Sequence, residues 1–210
     1  MVEKETVINL MTEFFIKHST LFHVDPTEIR CEQAIQIDNK WYLSFVRYYK
    51  DVPVENSSAL ASLFGGNLYE FGFTKWGSIS LSTTPELVAE SALAMLFSSL
   101  GGQDPYLDVI TNPGSLVILP LSADDALSLY EGEVGKGYTH KLAWAFEFVR
   151  GTDGPWKAFV DANTGEILSF YRDAMTAIHR ASATGNIYNH AINAEGHSYS
   201  GPYGMPYTDI

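Results

Sequence analysis

The chain has 210 residues, of which 46% are hydrophobic and 13% aromatic, so it can build a sizeable core, and this composition argues against global disorder. Its net charge of −12 at pH 7 disfavours nucleic acids and anionic membrane surfaces as partners, because both carry negative charge. Cys31 is the single cysteine, which rules out an internal disulfide and a cysteine-rich zinc site.

The first half of the chain is predicted to be a helix followed by strands. Apolar residues at helical spacing predict an amphipathic helix over residues 4–18, and Asp25 with Pro26 marks a turn or a short helical start. Further elements follow from alternating apolar residues and turn residues. They are strands at 29–37 and 41–49, a loop with a short helix at 55–66, and a hairpin of strands at 67–73 and 78–82.

The second half is predicted to be a helix packed on an antiparallel meander. Hydroxyl groups at Thr83 and Thr84, then Pro85 and Glu86, predict the start of a helix that runs to Leu100. The glycine pair that follows is a typical helix stop. The predicted strands are a short one at 116–119 and three meander strands at 142–149, 156–160 and 166–171.

The last two meander strands are joined by a turn that superficially resembles a calcium-binding loop, with Asp161, Asn163 and Gly165 at alternate positions. Glu166 stands where such a loop requires glycine, and Arg172 stands where it requires the bidentate acid. Calcium binding is therefore excluded. The three residues are predicted to form a structural turn, with Gly165 at positive φ.

No catalytic residue, cofactor site or metal site is predicted. The six histidines form no His-Glu-x-x-His motif, and residues 196–200 miss the Gly-x-Ser-x-Gly nucleophile pattern. Cys31 alternates with isoleucines, which favours a small buried hydrophobe over a reactive thiol. Asn56 begins a glycosylation sequon of a kind that often occurs by chance.

The two ends of the chain carry different signals. Met1–Glu5 is charged and lacks the apolar segment of a signal peptide, which leaves a cytoplasmic protein or one from which a targeting segment has been removed. From about Ala183, glycines and tyrosines are interleaved without helical or strand periodicity. Residues 175–210 are therefore expected to be an extended tail or linker, and the chain is expected to be a piece of something longer.

Residues 159–168, which read FVDANTGEIL, resemble the end of PepSY domains, whose last hairpin carries a Val-Asp-Ala-x-Thr-Gly-Glu signature. The predicted helix over residues 84–100 and the strand that begins at Lys141 precede this signature in the order that the family shows.

A second resemblance lies upstream. Residues 12–22, followed by Asp25 and Pro26, are similar to the helix and lead-in of the fungalysin/thermolysin propeptide (FTP) domain. Residues 48–54, YYKDVPV, resemble the Tyr-x-Gly-Val-Pro-Val segment of that domain, with Asp51 in place of the usual glycine and no glutamine before the tyrosines. The two resemblances together cover residues 5–174.

The resemblance implies an α+β fold of two helix-on-antiparallel-sheet units, an FTP-like domain at 1–82 and a PepSY-like domain at 83–174, before the tail at 175–210. It implies the propeptide region of a secreted zinc metalloprotease, which assists folding of the catalytic domain in cis and inhibits it. We expect no enzyme activity, cofactor, nucleic acid or membrane partner. The residues that contact the protease are not identified. The alternative is a non-catalytic PepSY-type binding or adhesion module of a larger secreted protein.

Overall fold

The computed structural model describes residues 3–122, 136–152 and 154–173. Its helices are α1 (Lys4–Lys17), α2 (Ser19–Phe22) and α3 (Ala89–Ser99), with a 3₁₀ turn at Pro26–Glu28. Its strands are β1 (Ile29–Ile37), β2 (Lys40–Tyr49), β3 (Val52–Phe64), β4 (Asn67–Thr74), β5 (Asp108–Ser122), β6 (Tyr138–Arg150), β7 (Pro155–Asp161) and β8 (Ile167–Arg172). Within these ranges no helix is both long and apolar enough to span a membrane. The predicted tail at 175–210 lies outside the described residues.

The eight strands belong to one mixed sheet in the order β1-β2-β3-β5-β6-β7-β8, with β4 paired to β3. Neighbouring strands are antiparallel except β3 and β5, which run parallel and pair at Val54 and Ile118. We term this pairing the joint, strands β1–β4 the first half and strands β5–β8 the second half. The predicted fold class, two adjoining helix-on-antiparallel-sheet units, was wrong, because β3 pairs with both β2 and β5 and so makes one large mixed sheet of eight strands.

Each half of the sheet packs one side against a helix. In the first half, Val7, Met11 and Phe15 of α1 are buried in a core with Leu43 and Phe45 of β2. The aromatic rings of Phe15 and Phe45 meet edge to face, with centroids 5.2 Å apart.

In the second half, Ala92, Leu96 and Phe97 of α3 are buried against Phe146 and Phe148 of β6. The smallest of these, Ala92, is fully buried, so the helix backbone approaches the sheet closely at that point. Each helix therefore shields one side of its half of the sheet from solvent.

Local predictions held where the sequence pattern was strong. The helix at 4–18 is confirmed as α1, and the meander is confirmed as β6, β7 and β8. The predicted strand at 116–119 is the end of a much longer strand, β5. The predicted strand at 78–82 was wrong, because the structure has no regular element there.

The predicted loop at 55–66 was also wrong, because this segment lies within β3. Asn56 takes a left-handed conformation, with φ of +52°, where the pairing of β2 with β3 shifts register. Beyond that bulge the chain alternates regularly, and Ala59, Ala61 and Leu63 are buried against α1. The serines and asparagine that indicated a loop thus belong to a bulged strand.

The helix predicted from Thr84 begins only at Ala89. The N–H of Glu86 donates to Asn163 Oδ1 at 3.3 Å, and the N–H of Leu87 donates to the carbonyl oxygen of Ala162 at 2.9 Å. These long-range bonds hold the preceding segment out of the helix, which sequence-local capping rules do not anticipate.

Candidate docking surface

The predicted turn after β7 is organised by the Asp161 carboxylate. Its Oδ1 atom accepts from the N–H of Asn163 at 2.9 Å and from the N–H of Thr164 at 3.2 Å. Gly165 has φ of +78° and donates its N–H to the carbonyl oxygen of Asp161 at 2.9 Å. Side chain and backbone together close an Asx-type turn.

This turn is tied to the rest of the second half. Lys141 Nζ lies 3.1 Å from Asp161 Oδ2 and 3.0 Å from Glu166 Oε2. Burial opposes ionisation of Asp161, but hydrogen bonds from the Asn163 N–H and from Lys141 outweigh it and lower the pKa of the carboxyl. With Asn163 Oδ1 bound to the segment before α3, the polar groups of the turn are satisfied within the fold.

The first half of the sheet has a second side, opposite α1, that exposes large apolar side chains. We term this side the open face. It comprises Ile35, Ile37, Tyr42, Leu60, Phe64 and Tyr69, all of which are exposed. Ile35 and Tyr42 are direct cross-strand neighbours. Ile37 and Phe64 lie in one cross-strand row with Lys40 between them, so that row also carries a charge.

The open face contains a shallow groove of about 390 Å³ across all four strands of the first half. Its lining alternates apolar and polar groups, with Gln33, Ser44, Ser62 and Glu70 among the latter. A second depression of about 290 Å³ lies next to it, between Tyr42, Phe64 and Tyr69. The surface therefore offers an apolar floor into which hydrogen-bonding groups and the charged side chains of Lys40 and Glu70 are set.

The open face is unusual for an antiparallel sheet. Such sheets commonly present polar side chains on the solvent side, whereas β3 exposes Leu60 and Phe64 there while burying Ala61 and Leu63 on the other side. Clusters of large exposed apolar side chains mark interaction surfaces. The arrangement can bind an apolar protein surface.

The outer strands are less suited to binding a partner by strand addition. Each of β1, β4 and β8 shifts register against its inner neighbour, at Cys31/Gln33, Ser62/Leu63 and Phe159/Val160 respectively. Bulges of this kind bend an edge strand and interrupt its row of free backbone groups. The face, rather than an edge, is the better candidate site.

Sequence reasoning missed the open face because it assigned residues 55–66 to a loop. The available signal was the apolar character of both alternating sets in β3, with Leu60 and Phe64 in one set and Ala61 and Leu63 in the other. A strand with apolar residues in both sets is buried on both sides or exposes one of them to a partner.

Other candidate chemistry is sparse in the described residues. They hold no group of three or more His, Cys, Asp or Glu side chains placed to bind a metal ion. Cys31 packs partly buried against the α1 core, and burial raises the pKa of its thiol, which disfavours the reactive thiolate. His190 and His197 lie outside the described residues.

Comparison with known proteins adds little. No family model and no curated protein matches the chain. Among solved structures it is similar to the Bacillus megaterium YpeB C-terminal domain, with 13% sequence identity and a TM-score of 0.37. The match covers 81% of this chain and 65% of that chain. A structural similarity this weak supports no conclusion about function, and the resemblance to FTP and PepSY domains remains a sequence-based prediction.

Proposed function

We propose that this chain is a non-catalytic docking module that holds a folded protein partner against its open face. The partner in this proposal is the catalytic domain of a secreted zinc metalloprotease, of which the chain is the propeptide. The observation that carries the docking role is the exposed apolar surface of β1–β4, and the sequence resemblance supplies the class of partner.

The physical basis is the size and chemistry of the surface. A typical stable interface buries about 800 Å² on each partner around a few large apolar or aromatic anchors. Tyr42, Phe64 and Tyr69 lie together on the open face and can provide such anchors. Because α1 supports the sheet from behind, the surface is formed before the partner arrives, which lowers the entropic cost of binding.

A preformed surface of this kind explains both activities of a propeptide. A module that binds only the folded form of a catalytic domain stabilises that form by mass action, and so assists its folding. The same complex inhibits the protease when the module covers the approach to the substrate cleft. Neither activity requires bond-making residues in the module itself.

The second candidate is a binding or adhesion module of a larger secreted protein, which would use the same open face. The coding sequence beyond Ile210 distinguishes the two. A downstream segment with His-Glu-x-x-His supports the propeptide. A downstream sequence without a zinc-protease domain rejects it and leaves the docking role.

The direct test is inhibition in trans by the full chain of the separately expressed catalytic domain encoded downstream. We expect inhibition at submicromolar concentration. Replacing Leu60 by Lys should weaken it by about tenfold or more, because a charge is placed in the apolar floor. Ile16→Lys is the matched control, since Ile16 is 55% exposed on α1 and Leu60 is 54% exposed on the open face.

Two results would contradict the proposal in different ways. No inhibition by the unmodified chain at tens of micromolar would reject the protease as partner. Equal loss of inhibition in both lysine variants would place the binding surface elsewhere on the chain.

A further inference from the structure

A buried group of charged and aromatic side chains lies next to the joint, apart from the open face. Arg47 of β2 is only 4% exposed. Its Nε donates to Glu28 Oε2 at 2.7 Å and its Nη1 donates to the carbonyl oxygen of Gly77 at 2.7 Å. The guanidinium also lies over the ring of Trp76, 4.5 Å from the centroid. The positive charge is therefore fixed in place from several sides.

His140 approaches this group from the second half of the sheet. It belongs to β6 and pairs with Pro120 of β5. Its Nε2 atom is buried and, within the part of the chain that the structure describes, has no hydrogen-bond partner. Burial, with a further contribution from the Arg47 charge, lowers the pKa of His140 to about 4.

The two residues lie on opposite sides of a weakly bonded boundary. Arg47 belongs to the first half and His140 to the second, and the sheet crosses from one to the other through the single pairing of Val54 with Ile118. The other contacts there are a small apolar core that includes Leu142 and an ion pair in which Lys157 Nζ lies 2.9 Å from Glu55 Oε1. Neither supplies an acceptor to His140 Nε2.

We propose that His140 makes the joint acid-sensitive, so that its protonation beside Arg47 loosens the two halves of the sheet from each other. A protonated imidazole would carry a buried N–H without an acceptor, close to a fixed guanidinium. Both effects favour a state in which the Nε2 atom of this half-buried imidazole reaches water.

The other groups around the histidine do not reverse this effect. Glu28 and Asp25 are the acidic groups that interact with Arg47, and Glu28 is already engaged by the guanidinium. The partner of His140 in β5, Pro120, is uncharged and has no N–H.

The direction of the pH effect follows from the lowered pKa of His140. A histidine whose pKa is lower in the closed form than its ordinary value of about 6.5 stabilises that form fully at higher pH. The stabilisation is lost as the pH falls from about 6.5 towards 4. The joint should therefore be closed at pH 7 and partly open at pH 5.

Hydrogen exchange of the full chain at pH 7 and pH 5, corrected for intrinsic exchange rates, tests this inference. In the unmodified chain, peptides that contain Val54 or Ile118 should lose about tenfold in protection from exchange at pH 5. Peptides of the β1–β2 hairpin should keep their protection. His140→Gln should abolish the loss. His23→Asn, a change at an exposed histidine in the left-handed conformation, should leave the loss intact.

The inference would be overturned if protection at the joint in the unmodified chain were the same at pH 7 and pH 5. It would also be overturned if the loss of protection were spread evenly over all peptides, or if His140→Gln still showed the loss. If that variant does not fold, the NMR titration of the His140 ring in the unmodified chain decides. A pKa well below 5 supports the inference, and one at 6 or above overturns it.

Discussion

Gly165 illustrates how one residue can serve a turn and a helix at once. Its positive φ closes the turn after β7, and its α-carbon lies against α3 so closely that a β-carbon would overlap Met95 Sδ. The first property was predictable, because Asp161, Asn163 and Gly165 form a local pattern with a known turn geometry. The contact with Met95 was not, because it depends on where α3 packs.

Replacing Gly165 by Ala should therefore lower the free energy of unfolding by about 1.5 kcal/mol, mostly through the strain of positive φ. The overlap with Met95 adds little, because the sulfur lies near the end of a flexible side chain that is 44% exposed and can move aside. The matched control is Gly151→Ala. Gly151 also has positive φ, but a β-carbon there would meet no neighbouring atom within 4 Å, so only the strain of about 1 kcal/mol applies. Urea denaturation of the two variants measures the difference. Equal effects would show that the Met95 contact is of no consequence.

The ion pair between Asp108 and Arg150 is a second feature at this scale. Arg150 Nε and Nη2 donate to the two carboxylate oxygens of Asp108 at 2.6 and 2.8 Å, and the carboxylate is fully buried. The hydrogen bond from Arg150 is the main cause that lowers the pKa of Asp108. A bidentate, buried pair of this kind is costly to break from one side.

We expect Asp108→Asn to lower the free energy of unfolding at pH 7 by about 2 kcal/mol, because the charge-assisted hydrogen bonds are weakened while Arg150, whose side chain is 28% exposed, stays partly hydrated. The control is Asp51→Asn in the exposed pair with Arg30, where the change should stay within about 0.5 kcal/mol. Since the lowered pKa of Asp108 stabilises the fold above its ordinary pKa, the cost should shrink as the pH falls below about 4. A cost that is the same at pH 7 and pH 3 would contradict the assignment to the ion pair.

At the scale of elements, α1 is the clearest case of agreement between sequence and structure. Its apolar residues recur at helical spacing, so the pattern alone indicated both the helix and its buried side. The strand β3 is the opposite case. Its bulge at Asn56 and its two apolar sides break the simple alternation on which strand prediction depends. Because the strand was not predicted, the open face was not predicted either.

Neighbouring residues of α1 provide a test of its role in supporting the sheet. Phe15 is 1% exposed and packs on Phe45, so Phe15→Ala should cost about 4 kcal/mol of unfolding free energy. Ile16, the next residue, is exposed, and Ile16→Ala should cost less than about 0.5 kcal/mol. Thermal or urea denaturation followed by circular dichroism measures both. A large effect of Ile16→Ala would indicate that the outer side of α1 is covered by something else.

At the scale of the whole molecule, the continuity of the sheet is what sequence reasoning could not reach. Local patterns indicated which residues form strands, but the joint depends on one parallel pairing between Val54 and Ile118, which no local pattern encodes. The two halves also share an ion pair, in which Lys157 Nζ lies 2.9 Å from Glu55 Oε1. These contacts make the halves one structural unit, where two adjoining units had been expected.

The four tryptophans allow this continuity to be measured, because Trp41 and Trp76 report on the first half and Trp144 and Trp156 on the second. Two double variants, each with one pair replaced by Phe, isolate the two signals. At pH 7 the fluorescence midpoint of each variant should coincide with its own far-ultraviolet circular dichroism midpoint, as in a two-state transition. A fluorescence transition that precedes the circular dichroism transition in either variant would show that one half unfolds independently.

The bulged outer strands have a practical consequence for handling the protein. Fibre growth requires copies to add side by side along straight, unbroken rows of amide and carbonyl groups. The kinks in β1, β4 and β8 interrupt those rows. These three strands should consequently be poor templates for the addition of further copies, although the open face exposes large apolar side chains.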